Sequence, residues 1–166
     1  MNCGAQAASG DILLFIHVDT ILPHNAENLI RTALEVPAAT AGSFKLSFDD
    51  PSWTMRMIAF FADLRTRMER VPYGDQTLFI KKEIFQKLGG FPEIPIMEDV
   101  EFFRNLKKRK LEILILDESV ITSARRYNAY GPLRCAFRNC FLRLLHLGRV
   151  NPEKIESMYR SRNSCK

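Results

Sequence analysis

Residues 88–102 read LGGFPEIPIMEDVEF. Gly89-Gly90 makes a turn, a proline-containing loop follows, and the loop ends on two adjacent carboxylates, Glu98 and Asp99, at the start of a helix. Val100, Phe103 and Leu106 recur at helical spacing and give that helix an apolar stripe with charge elsewhere. Two acids in a first turn sit in the positive end of the helix dipole, which favours their ionised forms. An ionised carboxylate on a rigid helix after a flexible loop is a candidate general base. The same pair also reads as ordinary helix capping, so these residues alone leave both readings open.

The chain around this stretch has 166 residues, enough for one domain with a real core. Hydrophobic residues make up 46% and charged residues 26%, a balance typical of globular proteins. No apolar run approaches bilayer length, and the N-terminus lacks the basic-then-apolar pattern of a signal peptide. Lys plus Arg number 24 against 19 acids, a net charge of +5. That excess suits phosphorylated substrates or an anionic membrane surface and is too small and scattered to point to nucleic acid. The four cysteines, Cys3, Cys135, Cys140 and Cys165, form no C-x-x-C pair, which argues against a zinc or redox motif. Cys135 and Cys140 face apart on one helix. Reduced thiols and a cytoplasmic location are expected.

Working outward, residues 2–9 are helix-compatible and Gly10 can stop them. Residues 12–16 form a continuous apolar run, as in a strand buried on both faces of a parallel sheet. His17-Val18-Asp19-Thr20 follows, a polar cluster at a strand's C-terminal end, where open α/β sheets put their ligand sites. Residues 25–35 read as a helix ended by Pro37. Residues 41–48 alternate as a strand with Phe44, Leu46 and Phe48 on one face. A turn at 49–52 leads into a long helix over 53–70, whose Met and Phe content suits a core or an oligomer surface. Tyr73-Gly74-Asp75-Gln76 breaks the pattern before a short strand at 78–80 and a short helix at 82–88, stopped by Gly89-Gly90. Beyond the acidic helix, residues 111–116 and 120–123 read as two strands, followed at once by Arg125-Arg126. Gly131-Pro132 opens a helix to Leu147. Its charges, Arg134, Arg138 and Arg143, are all basic, so it reads either as an interfacial helix on anionic lipid or as a sheet-packed helix with arginines in solvent. The sheet-packed form is the expected one. Residues 150–166 are expected to form a peripheral tail of the single domain 1–166.

Four groups carry candidate chemistry. Asp19 offers a carboxylate at a strand end, suited to Mg²⁺ or Mn²⁺ shared with substrate phosphates, or simply to a turn. Tyr73, Gly74, Asp75 and Gln76 suit a hydroxylated ligand or a turn. Arg125 and Arg126 suit a diphosphate or plain surface exposure. Glu98 and Asp99 complete the set. No phosphate-binding glycine loop is present.

The order of these groups resembles the family 2 glycosyltransferases, closest to the bacterial subgroup of radical-SAM/selenodomain-associated transferases. The resemblance is carried by Asn2, Gly4, Gly10-Asp11, LLFIHVDTILP at 13–23, PYGDQTLFIKKEIF at 72–85, LGGFPEIPIMEDVEF at 88–102 and TSARRY at 122–127. It implies an α/β fold of the GT-A type, a Rossmann-like three-layer αβα sandwich whose mixed sheet is truncated at its N-terminal side. It implies inverting, metal-dependent transfer of a sugar from a nucleotide sugar to an acceptor hydroxyl. Asp19 then matches the metal-binding Asp of the family's DxD motif, with His17 in the first DxD position. Asp99 matches the catalytic base, with Glu98 beside it. Arg125 and Arg126 lie where the donor diphosphate is contacted, and residues 73–76 on the acceptor side. Relatives carry further β-α units before the point where this chain starts. The sheet is therefore expected to have an open edge that invites a homodimer or higher assembly. The alternative function is a non-catalytic module that binds the acceptor or serves structure alone.

Overall fold

The computed structural model describes residues 1–161. Helix α1 (Asn2–Ala7) precedes strand β1 (Ile12–Phe15), and a turn leads to the two-residue strand β2 (Thr20–Ile21). Helix α2 (Ala26–Glu35), strand β3 (Ala39–Phe48) and helix α3 (Trp53–Glu69) follow. A single 3₁₀ turn (Gly74–Gln76) introduces β4 (Leu78–Lys81), α4 (Lys82–Lys87) and α5 (Glu98–Lys108). The chain ends with β5 (Glu112–Thr122), α6 (Arg125–Tyr130), α7 (Pro132–Leu147) and α8 (Pro152–Ser161).

The five strands form one mixed sheet in the order β1-β4-β3-β5-β2. Only β3 and β5 run parallel; the other three pairings are antiparallel. The apolar run at 12–16 is therefore not a strand buried within a parallel sheet. It is an edge strand with β4 as its one neighbour among the described residues, and Leu14 and Ile16 stand exposed. A hydrophobic run reports that a strand is apolar, not how many neighbours it has.

The expected pair of strands at 111–116 and 120–123 is a single strand, β5. The polar break Asp117-Glu118-Ser119 is absorbed by a bulge, where Ser43 to Lys45 of β3 faces Ile115 to Ser119 of β5. Asp117 stands out of the ladder and pairs with Lys45 at 3.0 Å and Arg67 at 2.7 Å. Their hydrogen bonds hold its carboxyl below the ordinary value.

Both faces of the sheet are covered. On one, Phe44 and Phe79 pack with Ile30 and Leu34 of α2. On the other, Leu78 and Ile80 pack with Val100, Phe103 and Leu106 of α5. The alternation within β4 sets the two faces apart. Gly42 sits in the tight layer between β3 and its neighbours; a Cβ there would overlap the Phe79 ring and the Leu114 carbonyl oxygen. Gly42→Ala is expected to cost about 1–3 kcal/mol in urea unfolding through overpacking.

The opening stretch is held from three sides. Gly89 and Gly90, at φ +82° and +78°, close α4 through N–H bonds to the Gln86 and Phe85 carbonyls. The Asn2 side chain clamps the backbone of Phe91, donating to its carbonyl at 2.9 Å and accepting from its N–H at 3.0 Å. The Phe91 ring then meets Phe15, Phe85 and Phe102 at centroid distances of 4.8, 5.1 and 5.1 Å. This aromatic cluster anchors the start of α5. The tail is not peripheral over its described part, since Ile155 of α8 is fully buried. Cys3, Cys135 and Cys140 are free thiols, with Cys135 buried and Cys140 exposed; Cys165 lies outside the described residues. Among the described residues no helix is long and apolar enough to cross a membrane.

Candidate functional site

Strands β1, β3 and β5 all end at the same side of the sheet, and β4 begins there. A cleft of about 430 Å³ opens at that side. Segments far apart in sequence meet in it. The β1–β2 connection supplies His17 and Asp19, the turn before β4 supplies Tyr73, Gly74 and Asp75, α5 supplies Glu98 and Asp99, and α6 supplies Arg125 and Arg126.

The path of the chain explains the meeting. After edge strand β1 it crosses the end of the sheet and pairs β2 with the last residues of β5, Thr20 opposite Thr122 and Ile21 opposite Ile121. The two threonine hydroxyls are 3.2 Å apart. Asp19 is thereby carried to the side of the cleft that Ser123, Arg125 and Arg126 also line.

Asp99 is an enclosed carboxylate that faces Gly74. The N-cap of α5 is Met97, in the left-handed region at φ 65°, so neither Glu98 nor Asp99 caps the helix. Instead Asp99 Oδ2 accepts the Gly74 N–H at 2.6 Å and Oδ1 accepts the Val100 N–H at 2.7 Å. Burial raises its pKa above the ordinary carboxylate value; the two N–H bonds oppose this and the nearby charge of Asp75 adds to it. Burial thus works against the helix-dipole effect expected from the sequence. Asp75 is raised in the same sense, again by burial, with Arg65, His17 and Arg126 opposing. Glu98 is half-buried and lines the same cleft.

Gly74 is where these groups close together. A Cβ on it would lie 2.8 Å from His17 Nε2 and 3.2 Å from Asp99 Oδ2. Tyr73 stacks under the Arg65 guanidinium at 3.9 Å, and its buried hydroxyl has no partner among the described residues. Burial pushes the pKa of Tyr73 up to about 12, so it stays a neutral donor. Gln76 is the one candidate residue that does not line the cleft. It is fully buried, and its Oε1 accepts from the Tyr73 N–H at 3.1 Å and lies 2.9 Å from the Thr66 hydroxyl. Its place as an acceptor contact is corrected to one that fixes the Tyr73 turn.

Arg125 and Arg126 are exposed at the start of α6, a helix the sequence reading left out. The turn after β3 holds that start. Asp49 Oδ1 accepts the Ala124 N–H at 2.7 Å and Asp50 Oδ2 accepts from Asn128 Nδ2 at 2.9 Å. The far wall was also missed. Tyr127, Asn139 and Tyr159 line it, with Asn139 Nδ2 donating to the Tyr127 hydroxyl at 3.4 Å and Arg126 donating to that of Tyr159. The helical spacing of Ile155 and Tyr159 was the available signal that the tail packs back on the domain.

Among the described residues no group of three or more His, Cys, Asp or Glu side chains gathers as a metal site. Asp19 is one cleft carboxylate, an oxygen donor of the kind hard cations take. Comparison with protein-family models and with curated proteins gives no match for this chain.

Proposed function

We propose that this chain is a glycosyltransferase-like protein of GT-A type, built for inverting transfer of a sugar from a nucleotide sugar to an acceptor hydroxyl. The observation that carries the reading is the convergence, in one cleft at the ends of the strands, of four segments that resemble the family's motifs. Arg125 and Arg126 take the donor diphosphate by bidentate contact. Asp19 would be the chain's ligand for the Mg²⁺ or Mn²⁺ that accompanies the diphosphate, and that cation would neutralise charge on the leaving group. The acceptor hydroxyl lies against Tyr73, Gly74 and Asp75. Its oxygen attacks the anomeric carbon and its proton passes to the Asp99 carboxylate. The bond from the anomeric carbon to the diphosphate oxygen breaks, and its electron pair leaves with the nucleoside diphosphate. Glu98 adds negative charge beside the base.

A non-catalytic, acceptor-binding module is the second reading. The observation on its side is the open edge of β1, where Leu14 and Ile16 stand in solvent next to His17. Calorimetric titration with UDP- and GDP-sugars, with and without Mn²⁺, separates the two. The transferase reading expects Mn²⁺-dependent donor binding that Asp19→Ala abolishes. Failure to bind any donor sinks it and leaves the second.

A further inference from the structure

Helix α7 is turned the opposite way from a sheet-packed helix with arginines in solvent. Leu133, Phe137, Phe141, Leu144 and Leu147 point outward, with Phe137 74% exposed. Arg138 and Arg143 are half-buried instead, and Arg143 pairs with Glu69 at the end of α3. Helix α3 packs beside α7 and does the same. Met55 and Thr66 are buried, whereas Trp53 is 72% and Met68 75% exposed, with Phe60, Phe61 and Leu64 on the same outward face. Two neighbouring helices thus present large aliphatic and aromatic side chains to the outside, far more than scattered apolar exposure requires.

We propose that this α3–α7 face is a docking surface for an anionic lipid bilayer, on which the two helices lie in the interfacial plane. Charge selects this occupant. Helix α7 contains no acid and carries Arg134, Arg138 and Arg143. At its C-terminal end Leu147 borders an open groove of about 420 Å³ lined by Arg104, Lys107, Lys108 and Arg143. The acids there, Glu69 and Glu101, are already paired, Glu69 with Arg143 and Glu101 with Arg104 and Lys108. Even with those pairs formed, Arg104, Lys107, Lys108, Arg134, Arg138 and Arg143 outnumber Glu69 and Glu101, and apolar side chains beside a net positive charge match an acyl layer beneath anionic headgroups. A second copy of the same face fits worse, because it brings the same net positive charge and no surplus of acids to meet it. The inference is independent of the reading of the cleft, although Asn139 and Leu142 of α7 line that cleft and docking would bring it to the bilayer surface.

Trp53 is the only tryptophan of the chain and lies on the face, so its fluorescence reports docking. The full chain is mixed with phosphatidylcholine vesicles, with or without phosphatidylglycerol, and followed by Trp53 emission and by co-sedimentation. Docking predicts a blue shift and sedimentation with the anionic vesicles alone, weakened by salt. Phe137→Ser with Phe141→Ser should lower the partition coefficient about tenfold or more, and Arg134→Gln should lower it less. These positions are exposed, so circular dichroism should show unchanged folding. No shift with anionic vesicles overturns the proposal, as does equal binding to both lipids. A blue shift without vesicles that grows with protein concentration overturns it in favour of a second copy on the face.

Discussion

If Asp99 is the base of the proposed transfer, Asp99→Asn should lower the rate about 10²- to 10⁴-fold, the usual contribution of a positioned general base. Asparagine keeps the shape and an oxygen for the Gly74 N–H, so donor affinity and folding should stay close to those of the parent chain. Single-turnover rates alongside donor titrations separate the two effects. The pH profile gives a second test. A base acts only when deprotonated, so the rate should fall as pH falls through the Asp99 pKa. Burial raises that pKa, and the acid limb should therefore lie above the ordinary carboxylate range. Asp75 is one of the causes that raise it, so Asp75→Asn should move the limb toward lower pH. A rate that Asp99→Asn leaves unchanged would remove Asp99 from the chemistry.

Phe102→Ala should cost about 3–5 kcal/mol in urea unfolding, a large share of the roughly 5–15 kcal/mol that holds a domain together. The side chain is 2% exposed and its ring meets Phe85, Phe91 and Phe103 at 5.2, 5.1 and 5.9 Å. Alanine leaves a cavity between the start of α5, the Gly-Gly-Phe segment and α4, and the loop that aims Asp99 loses its anchor. The doubly substituted Phe137→Ser, Phe141→Ser chain should by contrast unfold at nearly the parent midpoint, since neither ring is buried. A loss below about 1 kcal/mol at Phe102 would mean that α5 is held by other contacts.

Much of the candidate site was legible because its residues follow local signals. Glu98 and Asp99 open a helix whose apolar stripe is visible in the chain, and it buries Val100, Phe103 and Leu106 together with Phe102. Gly89-Gly90 ends α4 by the positive φ that glycine permits. What stayed hidden were the roles set by neighbours. Gln76 looks like Asp75 as a polar residue in a turn, yet its side chain serves the Tyr73 backbone and Asp75 faces the cleft. Tyr159 sits far along the chain from Arg126, and only the return of α8 brings their side chains together.

Local sequence alone set most of the helices, most strand positions, the turn glycines and which residues have acidic or basic side chains to offer. These depend on side-chain period, backbone freedom and charge, which are properties of short segments. The tertiary structure alone decided that β1 is an edge strand, that β5 runs through its polar break, and that the apolar side of α7 faces outward. Each depends on which neighbour occupies a given side. β5 stays whole because β3 pairs along its length and Asp117 swings out to Lys45 and Arg67. Helix α7 turns as it does because its inward side meets Glu69 and the polar wall of the cleft, where Arg143, Asn139 and His146 find partners, and only Leu142 and Cys135 are fully buried beside them. Periodicity shows that a helix has two faces; what lies beside it selects the buried one.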